Sequence, residues 1–311
     1  MSEADRKTTA AKADRPRVDI PFVSGLSALA GRYDAILCDV WGVLIDGRAH
    51  FPAAAAALET FRRGGGKVVL VTNASRPSEE VRAQLDRLGL PREAYDDLIS
   101  AGQLTLKEIL ARRGQACHHL GPVRDVGLFE AAGRLLGAPL RLTPLEEADY
   151  VVCTGLVDER RETPDDYAGR LAAMRERDLP MLCANPDIVV GIGGELVWCA
   201  GALAERYAAI GGEVVMAGKP FPPIYAAALA AVAGLLDGAA DHSRVLAIGD
   251  GASTDMAGAA RAGLDALFLL DGVHREELYP PPGDRLDVAV LAHLFARANV
   301  KPVALSPVLV W

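Results

Sequence analysis

The chain has 311 residues, half of them hydrophobic, and a net charge of −8 from 33 basic and 41 acidic residues. That is enough chain to bury a substantial core, in one large domain or two smaller ones. The acidic balance argues against a broad nucleic-acid footprint, and no apolar run reaches the roughly 18 residues of a membrane-spanning helix.

Residues 1–24 read as a flexible arm: the first seventeen are polar and charged, without the apolar stretch of a signal peptide or anchor. Ala35 to Cys38 then reads as a buried strand, 51–63 as an alanine-rich helix ended by Gly64-Gly65-Gly66, and 67–71 as a valine-rich strand. A helix over 77–88 follows, with proline at its first turn and Gly89 as its stop. This rhythm, with continuous apolar strands, predicts a doubly wound parallel α/β sheet covered on both faces.

A middle block carries its own pattern: helices over 125–136 and 164–177, strands over 151–153 and 181–183. The first rhythm resumes with a helix over 222–236, a strand over 245–248, a helix over 253–262 and a strand over 266–270. An α/β cap inserted at 101–198 into a core of 25–100 and 199–300 is the natural reading, with 301–311 as a tail. The five cysteines, Cys38, Cys117, Cys153, Cys183 and Cys199, are scattered and form no CxxC pair. They read as small core residues in a reducing, cytoplasmic compartment.

In an open parallel sheet, ligands bind beyond the carboxyl ends of the strands. Asp39 stands just after the first apolar run, Thr72-Asn73 after the second, and Gly249-Asp250-Gly251 with Thr254-Asp255 after the 245–248 strand. Gly218-Lys219-Pro220 precedes the 222–236 helix. Taken singly, each is ordinary: a helix cap, a turn residue or a surface lysine. Together they form a coherent set. Asp39 and Asp250 can hold a hard cation such as Mg²⁺ with a phosphate oxygen. Asp39 can attack phosphorus, while Thr72, Asn73 and Lys219 steady the transferring oxygens.

In order, strand context and spacing, these residues resemble the four signature motifs of the haloacid dehalogenase (HAD) superfamily. Asp39 matches the nucleophile motif, Thr72 the second, Lys219 the third, and Gly249-Asp250…Asp255 the fourth. The insertion between Thr72 and Lys219 resembles the α/β cap of the nitrophenylphosphatase and nucleotide-monophosphatase branch. Asn185-Pro186-Asp187 resembles a segment near that branch's cap–core junction, and Gly201-Ala202-Leu203 the start of its next core helix. The resemblance implies a Mg²⁺-dependent phosphatase of a small phosphorylated metabolite. Asp39 would be nucleophile and metal ligand, Asp250 and Asp255 metal ligands, and Trp41 a ligand through its carbonyl. Thr72, Asn73, Lys219 and Asn185 would bind phosphate or substrate. No nucleic-acid or membrane partner is implied, and a homo-oligomer through the cap is compatible with it.

One position departs from that pattern. The family's phosphatases carry a second aspartate two residues after the nucleophile, as general acid and base, and here it is Trp41. An indole N–H donates a hydrogen bond but does not transfer a proton at neutral pH. Loss of such a group costs roughly 10²–10⁴ in rate. Asp46 or His50, on the loop after the nucleophile, could substitute. Alternatively the substrate has a good leaving group, or the chain binds Mg²⁺ and phosphate with little turnover. Trp41-Gly42 also resembles the 2-haloacid dehalogenases, against which the retained acids of the fourth motif and the cap both weigh. Two further features read as structural. Gly191-Ile192-Gly193-Gly194 lacks the strand-to-helix setting of a dinucleotide site, and His118-His119 would face opposite sides of a strand.

Overall fold

Continuous apolar runs become the inner strands of a parallel sheet in the computed structural model, which describes residues 19–192, 195–281 and 285–311. Most of the expected N-terminal arm, and Gly193-Gly194, lie outside those residues. The described strands are β1 (Ala35–Cys38), β2 (Lys67–Thr72), β3 (Asp97–Ser100), β4 (Cys117–Leu120), β5 (Tyr150–Cys153) and β6 (Met181–Cys183), then β7 (Val189–Ile192), β8 (Glu195–Trp198), β9 (Val214–Met216), β10 (Val245–Gly249), β11 (Asp265–Leu269) and β12 (Ala304–Ser306). Six of them form an all-parallel sheet in the order β12-β11-β10-β1-β2-β3.

The period-2 alternation of strand side chains divides this sheet into two apolar layers. Ile36, Cys38, Val68, Leu70, Leu246 and Ile248 join one cluster, with Leu58 and Phe61 of the helix Pro52–Arg63. Ala35, Leu37, Val69, Val71, Val245 and Ala247 join the other, with Ile224, Tyr225 and Val232 of the helix Pro222–Leu235. Both helices begin with proline in the first turn, where no N–H partner is lost. Burial on both faces is why these strands read as unbroken apolar runs.

The middle block folds around a second sheet, parallel and ordered β4-β5-β6-β9, while β7 and β8 form a separate antiparallel pair. Its two faces bury separate clusters, one around Val151, Cys153 and Met181 and the other around Tyr150, Val152 and Leu182. The insertion therefore has a core of its own. All five cysteines are buried free thiols, as core cysteines should be.

Three expected boundaries move. The cap does not end at 198: β9 pairs with β6, and the helix Ala200–Ala209 packs Ala200, Leu203, Ala204 and Tyr207 into the cap cluster. The segment read as a core helix from Gly201-Ala202-Leu203 thus belongs to the cap, because its apolar stripe matches the cap sheet. The tail at 301–311 is no appendage, since β12 is the sheet's outer strand beside β11. The end of the arm is held as well. Val23 N–H donates to Leu305 O, Leu305 N–H to Pro21 O and Leu26 N–H to Val310 O. Among the described residues no helix is long and apolar enough to cross a membrane.

Candidate active site

β1 lies between β10 and β2, where the winding of the core sheet changes direction. Loops leaving adjacent strands on either side of such a point diverge and open a crevice. Asp39 follows β1, and its N–H donates to Ile248 O of β10 at 2.9 Å. Thr72 closes β2 with Asn73 after it, and Asp250 follows β10. Lys219 enters from the loop between β9 and Pro222–Leu235. Asp255 lies on a single π-turn, Ala252–Met256, that opens the next helix and turns its carboxylate back to the Gly251 N–H at 3.1 Å. These six side chains are polar or charged, yet each residue is only 1–7% exposed. Buried polar groups persist when they are paired.

The pairing centres on the lysine. Lys219 Nζ donates to Asp39 Oδ1 at 2.5 Å and to Asp255 Oδ1 at 2.7 Å. Asp250 Oδ2 accepts from Val273 N–H at 2.7 Å. One carboxylate oxygen from each of Asp39, Asp250 and Asp255 lies within 4.8 Å of the others. Asn73 fixes the lysine's main chain, its Oδ1 accepting from Lys219 N–H at 2.7 Å and its Nδ2 donating to Lys219 O at 3.1 Å.

One ammonium among three buried carboxylates leaves an excess of negative charge. Burial, then the Asp255 carboxylate, push the Asp39 pKa well above the usual range, although Lys219 opposes the shift. Burial and Asp255 likewise raise Asp250 to about 7. Burial works against the Lys219 ammonium, but Asp255 and Asp39 outweigh it and hold its pKa above the ordinary lysine value. Such a donor set, all oxygen and short of positive charge, suits a hard divalent cation.

The backbone leaves room for this cluster at Gly42. That residue has φ of 79°, and a Cβ there would sit 2.2 Å from Asp250 Oδ2. Only glycine satisfies both demands. Trp41 beside it is half-buried against the cluster that contains Val40 and Leu44.

The structure separates the remaining candidates. Asp46 Oδ1 accepts from the N–H groups of Arg48 and Ala49, which holds its carboxyl below the usual range, so it braces its own turn. His50 Nδ1 lies 2.9 Å from Leu88 O. Among the described residues neither hydrogen-bonds to Asp39, Asp250 or Lys219. His118 and His119 part as adjacent strand residues should, toward Thr143 O and Thr154 Oγ1 respectively. Asn185 Oδ1 accepts from Asp187 N–H at 3.0 Å, and it is Asp187 that reaches the core, accepting from Asn73 Nδ2 at 2.8 Å. Val273 was not foreseen as a site residue; it follows Gly272 in a loop with no motif to single it out. Asp125, which meets Ser75 of the core, carries no motif either and stands in the sequence only as the start of a helix-forming stretch.

Known proteins are similar to this chain in sequence and fold. A family model described as haloacid dehalogenase-like hydrolase matches residues 36–134, and a HAD-hydrolase-like model matches 216–294. A solved haloacid dehalogenase-like hydrolase from Brucella suis is 43% identical, covers 94% of this chain and 100% of its own, and superposes with a TM-score of 0.80. The chain belongs to the haloacid dehalogenase-like hydrolases. Among these hydrolases, the D-glycerol 3-phosphate phosphatase of Mycobacterium tuberculosis is 28% identical over 267 residues. The match covers 80% of this chain and spans 66% of that protein's length. A structure of glycerol phosphate phosphatase from that organism, in complex with magnesium, is 26% identical with a TM-score of 0.57, covering 85% of this chain and 78% of its own. The p-nitrophenyl phosphatase of Archaeoglobus fulgidus shares the fold at 21% identity, with a TM-score of 0.62 over 88% of this chain and 95% of its own. HAD-like relatives of this chain are thus phosphatases, and a related structure holds a divalent metal.

Proposed function

We propose that the protein is a Mg²⁺-dependent phosphatase of a small phosphorylated metabolite, acting through an aspartyl-phosphate on Asp39. The observation that carries this reading is the buried cluster itself, in which Asp39 is held by Lys219 beside Asp250 and Asp255 at the strand ends. Asp39, Asp250, Asp255 and the Trp41 carbonyl would hold the cation. When bound, it would neutralise charge, so that an anionic carboxylate can approach an anionic ester.

The chain's own groups do the rest. The Thr72 hydroxyl, the Asn73 N–H and the Lys219 ammonium would hold the phosphate oxygens. Asp39 attacks phosphorus, the bond from phosphorus to the ester oxygen breaks, and the leaving group departs with the electron pair. Water then attacks phosphorus, releasing inorganic phosphate and restoring Asp39. With Trp41 two residues after the nucleophile, and Asp46 and His50 tied elsewhere, the leaving oxygen takes its proton from solvent. Esters of acidic alcohols, such as aryl phosphates, are therefore the faster substrates.

Phosphate release from aryl and alkyl phosphates, with and without Mg²⁺, tests this reading. Turnover that requires Mg²⁺ and is lost in Asp39→Asn is expected. Phosphate that binds without being turned over would overturn it in favour of a binding protein.

A further inference from the structure

The short loop 72–76 carries Thr72 and Asn73 out of the core sheet, and two carboxylates of the cap grip it. Asp187, beyond the end of β6, accepts from Asn73 Nδ2 at 2.8 Å. Asp125, beyond the end of β4, accepts from Ser75 Oγ at 3.1 Å and lies 3.6 Å from Arg76 Nε. Ser75 and Asp125 are both buried.

Asn73 transmits this grip to the lysine. Its amide spans the Lys219 main chain, and its Nδ2 is shared between Lys219 O and Asp187. An amide has one donating and one accepting end, so its partners decide which way it faces. Asp187 is a second acceptor on the donating end. It fixes the amide plane, and with it the point from which Lys219 reaches Asp39 and Asp255.

Space is equally tight where the segments meet. A Cβ at Gly218 would lie 2.2 Å from Asn73 Oδ1, 2.7 Å from Pro186 Cδ and 3.0 Å from Ala101 Cβ. The chain leaving for the cap, the chain beside Asp187 and the lysine loop therefore touch with no room for a methyl group. At Gly102 a Cβ would lie 2.4 Å from the Arg76 main chain, closing the junction from the other side.

We propose that Asp187 and Asp125 are positioning residues through which the cap sets the phosphate cradle, so that docking of the cap and placement of Lys219 are one event. This rests on the phosphatase reading above. Were the two carboxylates only fastening one domain to another, their loss would lower stability and leave the chemical step alone. As positioning residues they act on kcat, because a displacement of about 1 Å at a reacting group costs about 100-fold.

Steady-state hydrolysis of p-nitrophenyl phosphate with Mg²⁺, on the full chain, separates these cases. Asp187→Ala lowers kcat by about 10- to 100-fold with KM changed less than about threefold. Asp187→Asn keeps an accepting oxygen toward Asn73 and stays within about threefold of the parent. The double variant Asn73→Ala/Asp187→Ala is no slower than Asn73→Ala alone, because residues acting through one contact are not additive. Ser75→Ala, a milder change in the second grip, lowers kcat by about three- to tenfold and keeps the proposal testable should Asp187→Ala fail to fold. Parent-like kcat in Asp187→Ala or in Ser75→Ala, or a double variant that falls by the product of the two single effects, would overturn the proposal while leaving the phosphatase reading intact. A parent with no turnover would overturn that reading, and this proposal with it.

Discussion

Lys219 gives its ammonium to Asp39 and Asp255, while Asp250 draws on the Val273 N–H. The carboxyl of Asp250 is raised from 3.8 to about 7 by burial and by Asp255. Between those values the folded chain binds more protons than the unfolded chain, so the metal-free protein loses stability as pH rises through that window. A cation needs the deprotonated carboxylate and restores what repulsion removes. The increase in Tm produced by Mg²⁺ is therefore expected to grow between about pH 5.5 and about pH 8. Thermal unfolding with and without Mg²⁺ checks this, and an increment independent of pH would contradict it. The neighbouring residue predicts a change in selectivity. Trp41→Asp places a carboxyl where a leaving oxygen can be protonated, and should raise turnover of alkyl phosphates by at least about tenfold, with aryl phosphates changed far less. Equal effects on both ester classes would show that leaving-group protonation is not what Trp41 lacks.

Elements place these residues by bringing backbone close to side chain. At Gly42 the chain turns with φ of 79°, a Cβ's breadth from Asp250 Oδ2. Gly42→Ala is expected to weaken Mg²⁺ binding by about tenfold or more, through displacement of Asp250, while the far-ultraviolet spectrum stays that of the parent. Calorimetric titration with Mg²⁺ reads this directly, and unchanged affinity would contradict it. The elements legible beforehand were those buried on two faces. β1, β2 and β10 are nearly all apolar, and the helices beside them open at proline and close near glycine. β3 has the alternating burial of a strand at the sheet's edge, and its polar start hid it. β9 and β12 are no shorter than β6, but β6 is a fully buried apolar run, while β9 is half-buried throughout and β12 ends in a serine. The helix Ala200–Ala209 is marked in the sequence only by the resemblance of Gly201-Ala202-Leu203, and which sheet its apolar stripe covers depends on contacts far along the chain.

For the whole molecule, the fold and the central cluster could be anticipated for one reason: strand ends in a parallel sheet converge, so residues distant in sequence are named by their position after an apolar run. Asp39, Thr72, Asn73 and Asp250 obey that rule, with Asp255 close behind Asp250, whereas Lys219 is marked by the helix it precedes; the structure gathers Asp39, Asn73, Lys219, Asp250 and Asp255. Contacts made by loops do not obey it. Asn73 and Asp187 are 114 residues apart, and nothing in either segment announces the other. Cap and core are joined at such places, so how they cooperate became readable only in three dimensions. In the mechanism proposed above, Asp39 carries the phosphoryl group during turnover. Acid quenching during hydrolysis of an aryl phosphate, followed by peptide mass analysis, tests it most directly. One phosphoryl group on the peptide containing Asp39, present only with Mg²⁺ and absent from Asp39→Asn, is the expected result. Sustained turnover with Asp39 unmodified, or with the phosphoryl group on another residue, would contradict it.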